Sequence, residues 1–152
     1  MSEHAGARTI VVGVDGSSAS QAALVWAVRE ARLRGAPVAA IHVCSRPWSA
    51  GAAGPYGSLV VAEMRETLEE AAVKLLEREV RTALARAANG REVEIEQRIA
   101  HGAVAQTLVS EARSALLLVV GSRGHGGFAG LLLGSVAQQC AHHSHCPVVI
   151  VR

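Results

Sequence analysis

Two apolar periodicities alternate along this chain. Thr9 to Asp15 is β-branched and apolar on both faces, the pattern of a buried strand. Ser17 or Ser18 can cap a helix behind it. Leu24, Ala27, Val28 and Ala31 then recur at the spacing of one helix face, and Gly35 stops that helix. Pro37 to Cys44 predicts a second strand. Ser45 to Gly57, punctuated by Pro47, Gly51, Gly54, Pro55 and Gly57, predicts a mobile loop. A long helix follows, with Leu68, Ala72, Leu75, Leu76, Val80, Ala83, Leu84 and Ala87 facing inward, and Asn89-Gly90 ends it. In Glu92 to Ile99, Val93, Ile95 and Ile99 alternate with Glu92, Glu94, Glu96 and Arg98, which predicts a half-exposed strand at a sheet edge. Val104 to Ala112 predicts a short helix, Leu116 to Val120 a buried strand, Ser135 to His143 a last helix and Val148 to Val151 a last strand. Strand and helix in regular alternation specify an α/β fold: a doubly wound parallel sheet with helices on both faces.

Composition narrows the class. At 152 residues the chain makes one domain, residues 1–152, with residues 1–8 expected to be flexible. Half of the residues are hydrophobic and only 18% charged, so disorder is excluded, and with 3% aromatics the core must be built from Ala, Val and Leu. A net charge of +2 without a basic run argues against nucleic acid as a partner. Met1 to Arg8 holds no apolar segment of the signal-peptide kind, and no stretch approaches a membrane span. Cys44, Cys140 and Cys146 form an odd set without a disulfide-framework spacing, as in a reducing compartment. These observations point to a soluble, cytoplasmic protein.

The chemistry concentrates where the apolar run Leu116–Val120 ends in glycines. Gly121-Ser122-Arg123-Gly124-His125-Gly126-Gly127 is followed, nine residues after Gly124, by Gly134-Ser135 at the start of the last helix. Glycines let backbone N–H groups approach an anion closely, and a helix N-terminus carries partial positive charge. Ser135 can cap that helix and also donate its hydroxyl to a phosphate.

This spacing, Gly121-x2-Gly124-x9-Gly134-Ser135, resembles the nucleotide-binding signature of the universal stress protein family, and the likeness runs from Thr9 to Arg152. Ile10-Val11-Val12-Gly13-Val14-Asp15-Gly16-Ser17 is similar to that family's opening strand with its ribose-binding aspartate, and Cys146-Pro147-Val148-Val149-Ile150-Val151 to its closing strand. The resemblance implies an ATP-binding regulator of stress or dormancy, usually a homodimer. A subgroup of the family lacks the glycines and does not bind ATP; this chain keeps them.

The resemblance also implies five strands in the order 3-2-1-4-5. The chain then reverses direction between the first and fourth strands, and ligands bind at strand carboxyl ends beside such a reversal. Asp15 and Gly121 fall at those two ends. Carried onto this sequence, Asp15 with Gly13 and Val14 receives the ribose, and the main chain of Val43 receives the adenine edge. Gly121, Gly124, Gly134, Ser135 and the Val136 amide hold the triphosphate of ATP, with Mg²⁺. Ser122, Arg123 and His125 complete the loop; the last two either add positive charge near the phosphates or are solvent-facing loop residues. Asp15 has a second possible use, an Asx-turn or helix cap with Ser17 and Ser18. In this order Val148–Val151 is an edge strand apolar on both faces, which predicts a homodimer through it, unless the N-terminus or the last helix covers it.

Other signatures fail on chemistry. Gly124-His125-Gly126-Gly127-Phe128-Ala129 fits a dinucleotide fingerprint in form, yet opens no helix and has no acid about twenty residues on. Gly134 is followed by Ser135 where a phosphate-binding loop of hydrolases carries Lys. Gly121 to Arg152 contains no carboxylate to orient water or hold a metal, so at most weak ATPase activity is expected and no catalytic residue is assigned. Cys140, His142, His143, His145 and Cys146 match no zinc spacing, so no metal site is assigned there. The leading reading is an ATP-dependent regulator that acts on an unidentified protein partner or on its own dimer. The alternatives are a slow ATP hydrolase or phosphotransferase, and a dimerising interaction module without nucleotide.

Overall fold

A computed structural model describes the backbone of residues 9–45, 54–124, 130 and 132–152, with side chains of the second helix described from residue 62 onward. The elements are β1 (Ile10–Gly13), α1 (Ser18–Arg34), β2 (Val38–Cys44), α2 (Gly54–Ala87), β3 (Ile95–His101), α3 (Val104–Glu111), β4 (Leu117–Gly121), α4 (Ser135–His143) and β5 (Val148–Val151). All five strands are parallel and ordered β3-β2-β1-β4-β5. Helices α1 and α2 pack together on one face, and α3 and α4 on the other.

The central strands are buried on both faces, as their unbroken apolar runs require. Ile10, Val12, Val38, Ala40 and Val119 face α1 and α2, while Val11, Ala39, Ile41, Leu118 and Val120 face α3 and α4. The inward face of α1 is the expected one: Leu24, Ala27, Val28 and Ala31 are all at most 1% exposed. Ser17 is its N-cap, accepting the Ser20 N–H at 3.2 Å, and Gly35 ends it in the left-handed conformation (φ 63°).

Helix α2 departs from the expected pattern at two positions. Ala72, Leu76, Val80, Ala83 and Ala87 are buried, but Leu68 is 49% and Leu84 38% exposed. A helix of 34 residues is about 50 Å long, roughly twice the span of the seven-residue strands it crosses. Its first half therefore runs past the sheet, and residues 62–71 are exposed on every side. The helix also begins at Gly54, inside the segment expected to be loop; residues 46–53 of that segment lie outside the described residues. At its other end Arg32 of α1 caps it, Nη1 donating to the Ala87 carbonyl at 2.9 Å and Nε to that of Arg91 at 3.0 Å.

Strand boundaries follow pairing rather than pattern. β3 occupies Ile95–His101 instead of Glu92–Ile99, because it pairs residue for residue with Val38–Cys44 of β2. It is a sheet edge, as its alternation predicted, and carries an exposed ion-pair network of Arg98 with Glu96 (2.7 Å) and Glu111 (3.0 Å). The Arg98 guanidinium holds the Glu96 carboxyl below the usual carboxylate range, an exposed interaction of small energetic value that also discourages edge pairing. β1 ends at Gly13, so Asp15 sits two residues beyond the strand, in the turn to α1. At the opposite edge, β5 is half-buried throughout. Val149 and Val151 pack on the α1 side and Val148 and Ile150 on the α4 side, so its own helices partly cover both faces.

Candidate functional site

The chain crosses over between β1 and β4, and a crevice of about 490 Å³ opens at the carboxyl ends of these strands. That volume is within the range of small-molecule sites, about 300–1,000 Å³. Gly13, Val14, Asp15, Val43, Gly121, Ser122, Arg123, Gly124, Gly134, Ser135 and Val136 all line it. The fold thus gathers every residue assigned from sequence except His125, which lies outside the described residues. Ser20, Ile41, Val104, Leu108, Val120 and Ala137 line it as well. These were not assigned because they sit on helix and strand faces that in sequence read simply as core.

Asp15 is the one carboxylate among the described lining residues. Its Oδ1 accepts the Ser17 N–H at 2.9 Å, its own N–H donates to Ser20 Oγ at 3.2 Å, and Gly16 makes the turn in the left-handed region (φ 81°). Just before it, the Val14 N–H donates to the Ile41 carbonyl at 2.8 Å. The Val14 carbonyl lies 2.7 Å from His42 Nδ1, which must therefore carry a proton. His42 is thus a clamp on the β1 turn rather than strand filling. Both uses considered for Asp15 are geometrically compatible. Oδ1 makes the Asx turn, while Oδ2 faces the glycine loop, 2.7 Å from where a Cβ on Gly124 would stand.

β2 outruns β1. Their pairing stops at Gly13 and Ile41, yet β2 continues to Cys44. Since the Ile41 carbonyl points toward β1 and main-chain direction alternates along a strand, the Val43 N–H and C=O point to the same side. There β1 has ended, and the two groups face the crevice.

Opposite Asp15 stands the N-terminus of α4. Gly134, not Ser135, is its N-cap, extended at φ −69° and ψ 162°, and it offers no side chain to the helix. Ser135 is therefore the first helical residue, exposed, with its hydroxyl not engaged as a cap. The N–H groups of Ser135, Val136 and Ala137 belong to the first turn, which has no intrahelical acceptors. Two other loop amides are used internally: Ser122 N–H donates to the Val151 carbonyl at 2.7 Å, and Gly134 N–H to the Ser122 carbonyl at 2.6 Å. Gly134 and Ser122 therefore shape the loop through their own bonds, whereas the first-turn N–H groups of α4 have no intrahelical acceptor and suit an anion.

Residues 6–152 match the Universal stress protein family. The chain belongs to that family. Universal stress protein Rv1996 of Mycobacterium tuberculosis is 35% identical over 149 residues, which cover 93% of this chain and 47% of that protein. A universal stress protein of Mycolicibacterium smegmatis is 38% identical over 142 residues, covering 93% and 47%. The chain spans about half the length of the curated relatives it matches. Among solved structures, a universal stress protein in complex with cAMP shares 30% identity at a TM-score of 0.66, covering 97% of this chain and 98% of its own. The Archaeoglobus fulgidus universal stress protein in complex with dAMP shares 25% at 0.58, covering 95% and 97%.

The glycines of this universal stress protein do different work. A Cβ on Gly121 would fall 2.7 Å from the Ala19 carbonyl carbon and 2.9 Å from its oxygen, so Gly121 admits the first turn of α1 against β4. A Cβ on Gly134 would meet the Ser122 carbonyl oxygen at 3.3 Å, and one on Gly13 the end of the Leu108 side chain at 2.8 Å. Of the cysteine and histidine residues near the C-terminus, Cys140 is fully buried and its thiol is pushed up to about 11 by that burial, whereas His142, His143 and His145 are exposed. They face different ways, and among the described residues no group of three potential ligands could hold a metal. No helix among the described residues is long and apolar enough to cross a membrane.

Proposed function

We propose that this protein binds ATP in the crevice between β1 and β4 and acts as a nucleotide-dependent regulator in stress response or dormancy. The observation that carries the reading is the pairing of chemistries across the crevice. Asp15 Oδ2 and the Val43 main chain stand on one side, and the open first turn of α4 with Ser135 stands on the other. An acceptor-only carboxylate suits sugar hydroxyls, a main-chain donor and acceptor suit a base edge, and a helix N-terminus suits phosphate. Relatives solved with cAMP and dAMP support a nucleotide in this fold. Arg123 lines the phosphate side and adds positive charge. Mg²⁺ would be carried by the phosphates; Asp15 is the one carboxylate among the described lining residues.

The same residues argue for regulation over turnover. In this reading the sugar claims Asp15, leaving no described lining carboxylate to orient a water. Two hydrogen bonds connect the crevice to the sheet edge, from Gly134 N–H to Ser122 and from Ser122 N–H to Val151 of β5. β5 pairs only with β4 among the described strands, leaving an open hydrogen-bonding edge suited to a second copy of the chain. We infer a cytoplasmic homodimer through β5 whose geometry responds to the nucleotide; three free thiols fit a reducing compartment. Sedimentation or light scattering is expected to give twice the 15.8 kDa chain mass; a monomer at all concentrations would remove the dimer.

The nucleotide reading is tested by thermal unfolding with MgATP. Ligand at a hundred times its dissociation constant adds about 2.7 kcal/mol, a midpoint rise of roughly 5–10 °C for a domain of this size. At the same ligand concentration the rise should fall to about half or less in Asp15→Ala. Nucleotide-free, folded wild type showing no rise would sink the reading and leave the interaction module.

A further inference from the structure

Ser20 is 4% exposed, yet it lines the crevice. Its hydroxyl works inside the turn: Oγ accepts the Asp15 N–H at 3.2 Å and donates to the Ser17 carbonyl at 3.1 Å. It occupies the third position of α1, where a polar side chain ordinarily reaches back to the N-cap N–H; here it reaches two residues further, to Asp15. Its one proton is already placed on the Ser17 carbonyl, so it donates nothing to a ligand, and its bond to the Asp15 N–H ties it to the carboxylate-bearing residue. Asp15 itself stands beyond the end of β1, so the ladder does not orient it. Among the contacts that place it are the Ser20 bond to its N–H, the Ser17 bond to Oδ1 and the His42 clamp on the preceding carbonyl.

We propose that Ser20 is a positioning residue that aims the Asp15 carboxylate at the sugar and thereby sets a preference for ribose over 2′-deoxyribose. The assignment rests on the nucleotide reading above and deepens it. An anionic acceptor held in one place rewards each hydroxyl that donates to it, and a ligand lacking one loses that bond. When the anchor on the Asp15 N–H is removed, the Asp15 main chain shifts, the carboxylate is carried off the sugar, and the second hydroxyl no longer adds affinity. Binding of the base and phosphates, held by Val43 and α4, stays as it was.

The test is the ratio of dissociation constants for 2′-deoxy-ATP and ATP, measured by calorimetry in wild type and in Ser20 variants. Wild type is expected to favour ATP by about tenfold or more, the worth of one hydrogen bond to a charged group. Ser20→Ala should bring the ratio to within about twofold, mostly by weakening ATP. Ser20→Cys, with a weak sulfur acceptor in nearly the same volume, should do the same and covers the case in which the alanine variant does not fold. Ser20→Thr keeps the oxygen and should keep the ratio. A wild-type ratio in the Ala or Cys variant overturns the role of Ser20 alone. Equal affinity of wild type for both nucleotides overturns sugar selection by Asp15, and failure of wild type to bind either overturns the nucleotide reading itself.

Discussion

Gly121→Ala lowers the stability of this protein by about 2–3 kcal/mol, the cost of forcing a carbon into a filled interface. The added Cβ would stand 2.7 Å from the Ala19 carbonyl carbon and 2.9 Å from both its oxygen and its Cβ. Those are mostly backbone atoms, with no side-chain rotation to relieve them. Neither partner yields readily. β4 is hydrogen-bonded between β1 and β5, and the first turn of α1 is held by the Ser17 cap and by Ser20. Urea denaturation measures the loss, and the thermal midpoint should fall by about 4–12 °C. A glycine serving only to let phosphate approach would behave differently, with stability retained and affinity lost. That outcome, a variant within about 0.5 kcal/mol of wild type with weakened ATP binding, would contradict the packing role assigned to Gly121.

The second large effect is expected at Gly124, and there it falls on the ligand. A Cβ at this exposed position would meet Asp15 Oδ2 at 2.7 Å, the end of a side chain that can turn away. Gly124→Ala should therefore fold normally while displacing the carboxylate from the sugar. We expect ATP affinity to fall about ten- to a hundredfold, the worth of a hydrogen bond to a charged group. Because the loss passes through Asp15, it should not add to that of Asp15→Ala: in a double-mutant cycle the double variant binds ATP about as weakly as Asp15→Ala alone. Additive losses would show that Gly124 meets the nucleotide on its own account.

These two glycines look alike in the sequence, three residues apart in one motif, and only their neighbours separate them. Gly121 faces α1 and Gly124 faces Asp15, elements about a hundred residues away along the chain. The same limit applies at Ser135. A serine at a helix start reads as a cap, but the chain enters α4 in the extended conformation at Gly134, one residue earlier, and the hydroxyl is left for other use. At Gly134, glycine-loop chemistry suggested phosphate binding, whereas its N–H is used within the loop, on the Ser122 carbonyl.

Local pattern alone determined the α/β class, the alternation of elements, the inward face of α1 and the edge character of β3. Each rests on the side-chain period of a helix or strand, which the order of residues carries directly. The glycine motif was legible because close backbone approach demands glycine, and Asp15 was singled out by the family resemblance of the opening strand. The length of β1, the register of β3, the exposure of Leu68 and Leu84, and the positions of Ser20 and His42 behind Asp15 were decided only in three dimensions. Strand ends depend on which neighbour is still present to pair with, and burial on how far a helix runs past the sheet, as at Leu68, or on which side of the buried stripe a residue falls, as at Leu84 beside Ala83. A serine or histidine becomes part of a site only when folding brings a distant main-chain group within reach.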